Sequence, residues 1–290
     1  MKESNKRALV LSGGGIKGAY QVGVLKKWLK EDGLDYDILC GVSVGALNAL
    51  KLAAIPLGDS SEAYDNLYNI WHDLTVSRIF CGWKPFGKIS ALWKWSIFDS
   101  SPLIKLIKSD FDIEKIRNSN KNVRIGAVCL NTGEKYFSSE NDFNLDEWAV
   151  ASASLPVIMK PKIINGKWWI DGGIKVSTPI GQAIRLGAKY IDVISCSPGN
   201  SYTKEWRPSG RWWSVLDIAY RSLDLMTDRI MAADFHSIGL DNDLVVSKYS
   251  DIKIRIIRPS VSLNDDLFNF DSSDISKMID RGYSDAKNCQ

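Results

Sequence analysis

Two short apolar runs, each broken by glycines and followed by a helical pattern, restrict this chain more than any other feature. Ala8-Leu9-Val10 leads into "LSGGGIKG", and a helix follows from Ala19 to Glu31, with Val22, Leu25, Trp28 and Leu29 on one face and Gly33 as its stop. The second run, "YDILC" from Tyr36 to Cys40, leads into "GVSVG" and an Ala-rich helix that Pro56 ends. Strand, glycine turn and helix, repeated with short connections, predict a parallel sheet covered by helices.

The rest of the chain keeps the alternation. Val123 to Leu130 reads as a strand that "NTG" turns into a hairpin with Glu134 to Ser138, and Asn165-Gly166 is a two-residue hairpin signal between "KII" and "KWWID". Thr178-Pro179 opens a helix running to Gly187. A strand from Lys189 to Cys196, a helix from Trp212 to Ile238, a strand from Ile252 to Ile257 and a closing helix from Ser272 to Lys287 complete the pattern. The stretch 60–120 reads as helix and loop without repeat or linker. The expected fold is one three-layer α/β/α domain over residues 1–290 with a mainly parallel central sheet, and 45 % hydrophobic residues suffice for its core.

A net charge of +3 from 37 basic and 34 acidic residues is too balanced for a nucleic-acid coat. Cys40, Cys81, Cys129, Cys196 and Cys289 are scattered, odd in number and without a C-x-x-C pair, so neither a disulfide framework nor a zinc site is expected, and a reducing cytoplasm fits best. No signal-peptide core and no run of 18 apolar residues is present, so neither secretion by such a signal nor a membrane span is expected.

Gly13, Gly15 and Gly18 satisfy G-x-G-x-x-G, which raises the question of a dinucleotide. That fold needs an acid at the end of the second strand for a ribose hydroxyl, and Asp35 and Asp37 lie before or at its start. A P-loop needs Gly-Lys-Ser/Thr, whereas Ala19-Tyr20 follows Gly18. What survives is a cluster of backbone N–H groups at a helix start, ready for an anion. "GVSVG", Gly41 to Gly45, supplies one: it has the G-x-S-x-G spacing of a nucleophile elbow between strand and helix. Attack by Ser43 on an ester carbonyl creates an oxyanion, for which each preorganised N–H contributes about 3–4 kcal/mol. Both turns follow strands that should be neighbours, so both open at one carboxyl edge of the sheet.

"GGGIKG" followed by "GVSVG" resembles the patatin-like phospholipases, whose pattern is G-G-G-x-[RK]-G and then G-x-S-x-G. "DGGIKVSTP", Asp171 to Pro179, is similar to the family's D-G-[GA] motif, "ASASLPVIMKP" to its Ala/Ser-rich helix, and "RGYSDA" to a closing helix of bacterial members. The resemblance implies Ser43 as nucleophile, Asp171 as base and Gly13, Gly14 and Gly15 as the oxyanion loop. Lys17, Gly18, Gly41, Gly45, Gly172 and Gly173 complete the motifs, with core motifs over 7–199 and 200–290 completing the domain. It also implies a phospholipid or other lipid acyl ester as substrate, with no metal and no organic cofactor. Two alternatives stand beside it: a Ser43-Asp171-His236 triad, and a lipid-binding protein without catalysis. His236 sits inside a helical pattern and reads as a surface histidine, as does His72. An aspartate with a pKa near 3.9 is a feeble base, so the dyad requires Asp171 to be desolvated beside Ser43; otherwise Asp-Gly is a turn signal.

Two segments interleave tryptophan with Lys or Arg, one holding Trp83, Trp93 and Trp95 and the other Trp206, Trp212 and Trp213. Such composition suits transient contact with a membrane surface, or else a lid or core. Lys17 faces either a phosphate or solvent.

Overall fold

The computed structural model describes residues 5–82, 94–198, 214–237, 240–241, 244–245, 251–263 and 269–289. Trp83, Trp93, Trp206, Trp212 and Trp213 lie outside them. In chain order the strands are β1 Arg7–Leu11, β2 Ile38–Val42, β3 Asn122–Cys129, β4 Lys135–Ser139, β5 Lys162–Ile164, β6 Lys167–Asp171, β7 Tyr190–Ile194, β8 Leu240–Asp241, β9 Leu244–Val245 and β10 Lys253–Ile257. The helices are α1 Gly18–Leu25, α2 Val44–Ala53, α3 Ser60–His72, α4 Val76–Ile79, α5 Ser101–Asp110, α6 Ile113–Asn118, α7 Leu145–Ser152, α8 Ile180–Arg185, α9 Ser214–Ser237 and α10 Ser272–Asn288, with α1 continuing as a wider-turned segment over Lys26–Glu31.

The central sheet runs β10-β7-β1-β2-β3-β6-β5, with β4 paired to β3. From β10 to β3 every pairing is parallel, and β4, β5 and β6 pair antiparallel. Helices cover both faces, which explains why β1 reads as an unbroken apolar run. Leu9 and Leu11 pack into the larger core with α1, α2 and α3, while Ala8 and Val10 pack with Ile180 and Ala183 of α8 and with Met231 and Phe235 of α9. The expected strands thus stand, with β1 and β2 neighbours as expected, and so do both hairpins: Asn165 and Gly166 take φ of 52° and 74°, the left-handed pair that closes a two-residue loop.

Register fixes where the site forms. Gly126 of β3 pairs with Val42 on one edge and Phe137 on the other; the next residue, Ala127, pairs with Asp171 and Tyr136. Since Phe137 and Tyr136 both belong to β4, β2 and β6 must share the opposite edge of β3. There β6 takes up pairing where β2 leaves off. The end of β6 therefore meets the end of β2 head-on, bringing Asp171 to the turn that carries Ser43. Gly172 allows the approach: a Cβ there would lie 2.5 Å from the Gly126 carbonyl oxygen and 3.0 Å from Val42.

The closing helix docks by backbone contact. A Cβ on Gly23 of α1 would fall 1.9 Å from the Ile279 carbonyl oxygen, and one on Gly282 of α10 would fall 2.1 Å from that of Tyr20. The glycine of "RGYSDA" thus serves helix packing. No helix among the described residues is long and apolar enough to cross a membrane.

Candidate active site

Ser43 stands between β2 and α2 with φ 57° and ψ −130°, one of the few non-glycine residues at positive φ. Such backbone strain persists only where the surroundings impose it. Here they do: the Ser43 carbonyl accepts from Ala46 and Leu47 N–H at 2.9 and 3.3 Å, and its N–H donates to Ser152 Oγ at 3.0 Å. Ser152 in turn donates to the Gly126 carbonyl at 2.7 Å. The hydroxyl thus sits at the N-terminus of α2, where the helix dipole favours negative charge.

The glycine loop packs directly on this serine; a Cβ on Gly13 would be 3.4 Å from Ser43 Cβ. Gly14 and Gly15 take φ of 155° and 56°, conformations that L side chains rarely adopt. Of the three candidate oxyanion donors, Gly13 has its N–H committed to the Ser177 carbonyl at 3.1 Å. The N–H groups of Gly14 and Gly15 have no acceptor among the described residues. The loop is also held from behind. Ser12 Oγ accepts from Cys196 N–H at 2.9 Å, and Gln21 Nε2 donates to the Ser12 carbonyl at 2.8 Å. Asn48 Nδ2 donates to Gln21 Oε1 at 2.8 Å, and Trp71 Nε1 to Asn48 Oδ1 at 2.9 Å. Gln21 and Asn48 were silent in the sequence reading, although a lone amide on the apolar face of a helix is the signal of such a buried network.

Asp171 ends β6 with 2 % of its surface exposed. Its N–H donates to the Ser154 carbonyl at 3.0 Å and its Oδ1 accepts from Gly173 N–H at 2.8 Å. Burial pushes the carboxyl up to about 7, with the Ser43 hydroxyl and the Gly173 N–H drawing it part of the way back. The hydroxyl is thus near enough to favour the carboxylate, yet Oδ2 is buried without a hydrogen bond of full geometry. That leaves Oδ2 with a vacant lone pair on a residue that lines the same cavity as Ser43, and catalytic contacts often tighten only with substrate bound.

Lys17 faces neither phosphate nor solvent, a correction to both expectations. It is 7 % exposed, and its Nζ donates to Asp224 of α9 at 2.7 Å, with Arg221 on the other carboxylate oxygen at 2.8 Å. Burial by itself depresses the ammonium, but Asp224 and the neighbouring Tyr220 and Asp228 outweigh it, and the pKa is raised. The pair fastens α9 to the glycine loop. Farther along α9, Asp234 accepts from Ser177 and Thr178 N–H, both at 2.8 Å, while its own burial pushes it up to about 6.

Two cavities meet at Ser43. One, of about 90 Å³, is apolar and lies between α2, α3 and α5, with Val44, Leu47, Leu67, Trp71, Leu106 and Ile107 in its walls. The other, of about 50 Å³, is lined by Gly13 to Gly15, Asp171, Gly173 and, from α9, Tyr220, Leu223, Asp224 and Thr227. His236 is exposed in the last turn of α9 and lines neither; His72 is exposed and pairs with Asp73 at 2.9 Å. No group of three or more His, Cys, Asp or Glu among the described residues could hold a metal ion.

Residues 9–184 match the family model described as patatin-like phospholipase. The chain is 27 % identical over 222 residues to the patatin-like phospholipase domain-containing protein ZK370.4 of Caenorhabditis elegans, covering 72 % of this chain and 15 % of that one. It is 28 % identical over 186 residues to a cGAMP-activated phospholipase of Pseudomonas aeruginosa, covering 59 % and 53 %. It is 25 % identical over 221 residues to lysophospholipase NTE1 of Kluyveromyces lactis, covering 70 % and 14 %. The chain thus spans from about a seventh to about half the length of these relatives.

Proposed function

The chain belongs to the patatin-like phospholipase family, and from that membership we propose that it hydrolyses lipid acyl esters through an acyl-Ser43 intermediate, with Asp171 as its general base. The observation that carries the reading is the junction at Ser43, where an unpartnered carboxylate oxygen, two free backbone N–H groups and an apolar cavity converge on one hydroxyl.

In this mechanism Asp171 Oδ2 takes the Ser43 proton as Oγ attacks the acyl carbonyl. The developing oxyanion is held by Gly14 and Gly15 N–H, and the N-terminus of α2 favours it further. Protonated Asp171 then gives its proton to the leaving alcohol. Water, activated by Asp171, attacks the acyl-serine and releases the fatty acid. A base pKa of about 7 suits both roles, because it balances the ionised fraction against proton affinity. The acyl chain occupies the larger cavity and the alcohol portion the smaller one.

A fluorophosphonate probe tests the nucleophile. Wild-type protein is expected to be labelled stoichiometrically and Ser43→Ala not at all; equal labelling of both assigns the chemistry elsewhere. The cavity assignment has its own test. Leu106→Trp, placed in the apolar wall, is expected to lower kcat/KM for long-chain esters at least tenfold while sparing acetyl esters. An equal loss on both would remove the cavity from substrate binding.

A further inference from the structure

We propose that the edge of the molecule formed by the β5–β6 hairpin and its neighbours is a docking surface for an anionic lipid bilayer. Four apolar side chains stand out into solvent there: Trp95 at 68 % exposure, Val157 at 56 %, Leu130 at 53 % and Ile163 at 48 %. They form one patch. The Trp95 and Trp168 rings are 4.9 Å apart, Ile163 is the cross-strand partner of Trp168, and Leu130 N–H donates to the Trp168 carbonyl at 2.8 Å. Val157 joins through its carbonyl, which accepts from Ile97 N–H at 2.9 Å, two residues beyond Trp95.

Val157 carries a second mark. Its φ of 69° is rarely tolerated by a β-branched residue, and the strain holds an apolar side chain out in water.

The patch lies on the side of the sheet where the catalytic turn opens. β2 ends at Val42 opposite Gly126, whereas Leu130 lies four residues farther along β3's direction. Trp168 is three residues before Asp171, and Val157 two after Leu155, which lines both cavities. A lipid leaving the bilayer at this edge would enter beside Ser43.

Charge selects the partner. Lys160, Lys167 and Lys175 are exposed around the patch and have no acidic partner within ion-pair distance among the described residues, whereas Lys162 pairs with Glu147 at 2.9 Å. Glu134, beside this edge, accepts from Thr132 Oγ1 at 3.2 Å. Amphipathic aromatic and aliphatic groups ringed by lysines suit an interface in which apolar tips enter the headgroup and acyl boundary while ammonium groups meet phosphates. A flat protein partner would instead require charges complementary to isolated lysines and a groove for the apolar tips.

The proposal gains its purpose from the lipid-hydrolase reading, but its test does not depend on catalysis. Sedimentation with vesicles of phosphatidylcholine alone, or mixed with phosphatidylglycerol, is measured with the Ser43→Ala chain. Binding is expected to the mixed vesicles, weakening with added salt. The triple change Trp95→Ser, Leu130→Ser and Ile163→Ser is expected to lower binding at least tenfold at an unchanged melting temperature. Neutralising Lys160, Lys167 and Lys175 to Gln is expected to lower it roughly a hundredfold, at about fivefold per lysine. The proposal is overturned if the parent binds neither vesicle, if the triple variant binds as the parent does, or if the triple change instead abolishes self-association in solution. Ester hydrolysis without vesicle binding would sink the docking surface alone, and vesicle binding without hydrolysis would sink only the catalytic reading.

Discussion

Asp171→Asn is expected to lower kcat by about 10³–10⁴-fold while making the protein more stable above neutral pH. The amide keeps the shape and can still accept from Gly173 N–H, but it has no basic lone pair to take the Ser43 proton. Because the native carboxyl ionises near 7, wild-type kcat/KM should rise about tenfold per pH unit up to that value and then level off; a flat profile would remove Asp171 as the base. The sign for stability is opposite. Burial raises the folded pKa to about 7, whereas an unfolded aspartate titrates near 3.9. The native state therefore holds a proton that the unfolded chain has released, so this contribution is complete below about pH 4 and lost as pH rises through about 7. Asparagine carries no such liability. Melts at pH 4 and pH 8 should show the variant gaining on the parent only at the higher pH, and equal differences at both would deny the burial effect.

The parts of this site written in local sequence were legible. A strand buried on both faces has to be apolar throughout, and Asn165-Gly166 declares its turn because both residues take positive φ. "GVSVG" declares an elbow for steric reasons alone. What could not be read depends on residues that meet only after folding. The partner of Lys17 lies on α9, some 200 residues later, so the sequence offered only a phosphate or solvent for the lysine, whereas its ammonium is buried against Asp224. Gly13 looked equivalent to Gly14 and Gly15 until the Ser177 carbonyl claimed its N–H. The walls contributed by α3 and α5 carried no motif because a pocket for an acyl chain asks only for apolar side chains. Of the two Trp-rich segments, Trp95 lies among the described residues: it is exposed, and its ring companion is Trp168 of β6, a contact between residues far apart in sequence.

Gly45→Ala is expected to be strongly damaging although it adds only a single carbon near the site. A Cβ at this position would lie 2.4 Å from the Leu11 carbonyl oxygen and 2.5 Å from that of Ser12. Both belong to the backbone that enters the glycine loop, so neither can swing aside as a side chain would. Helix α2 must therefore retreat from β1, taking Ser43 away from Gly14 and Gly15. Overpacking of this kind costs about 3 kcal/mol or more, or roughly 6–12 °C in Tm for a chain of this size. The catalytic loss should exceed the stability loss, since a displacement of about 1 Å can cost a hundredfold in rate. Gly181→Ala is the control: it adds the same carbon in α8, where nothing lies within 4 Å and φ is ordinary, and is expected to be neutral or slightly stabilising. If both variants melt and turn over like the parent, the close approach of the elbow to β1 is not what positions Ser43. If Gly45→Ala melts normally but is inactive, the clash has been absorbed wholly by the reacting geometry, which would tie the G-x-S-x-G spacing to catalysis more tightly than to folding.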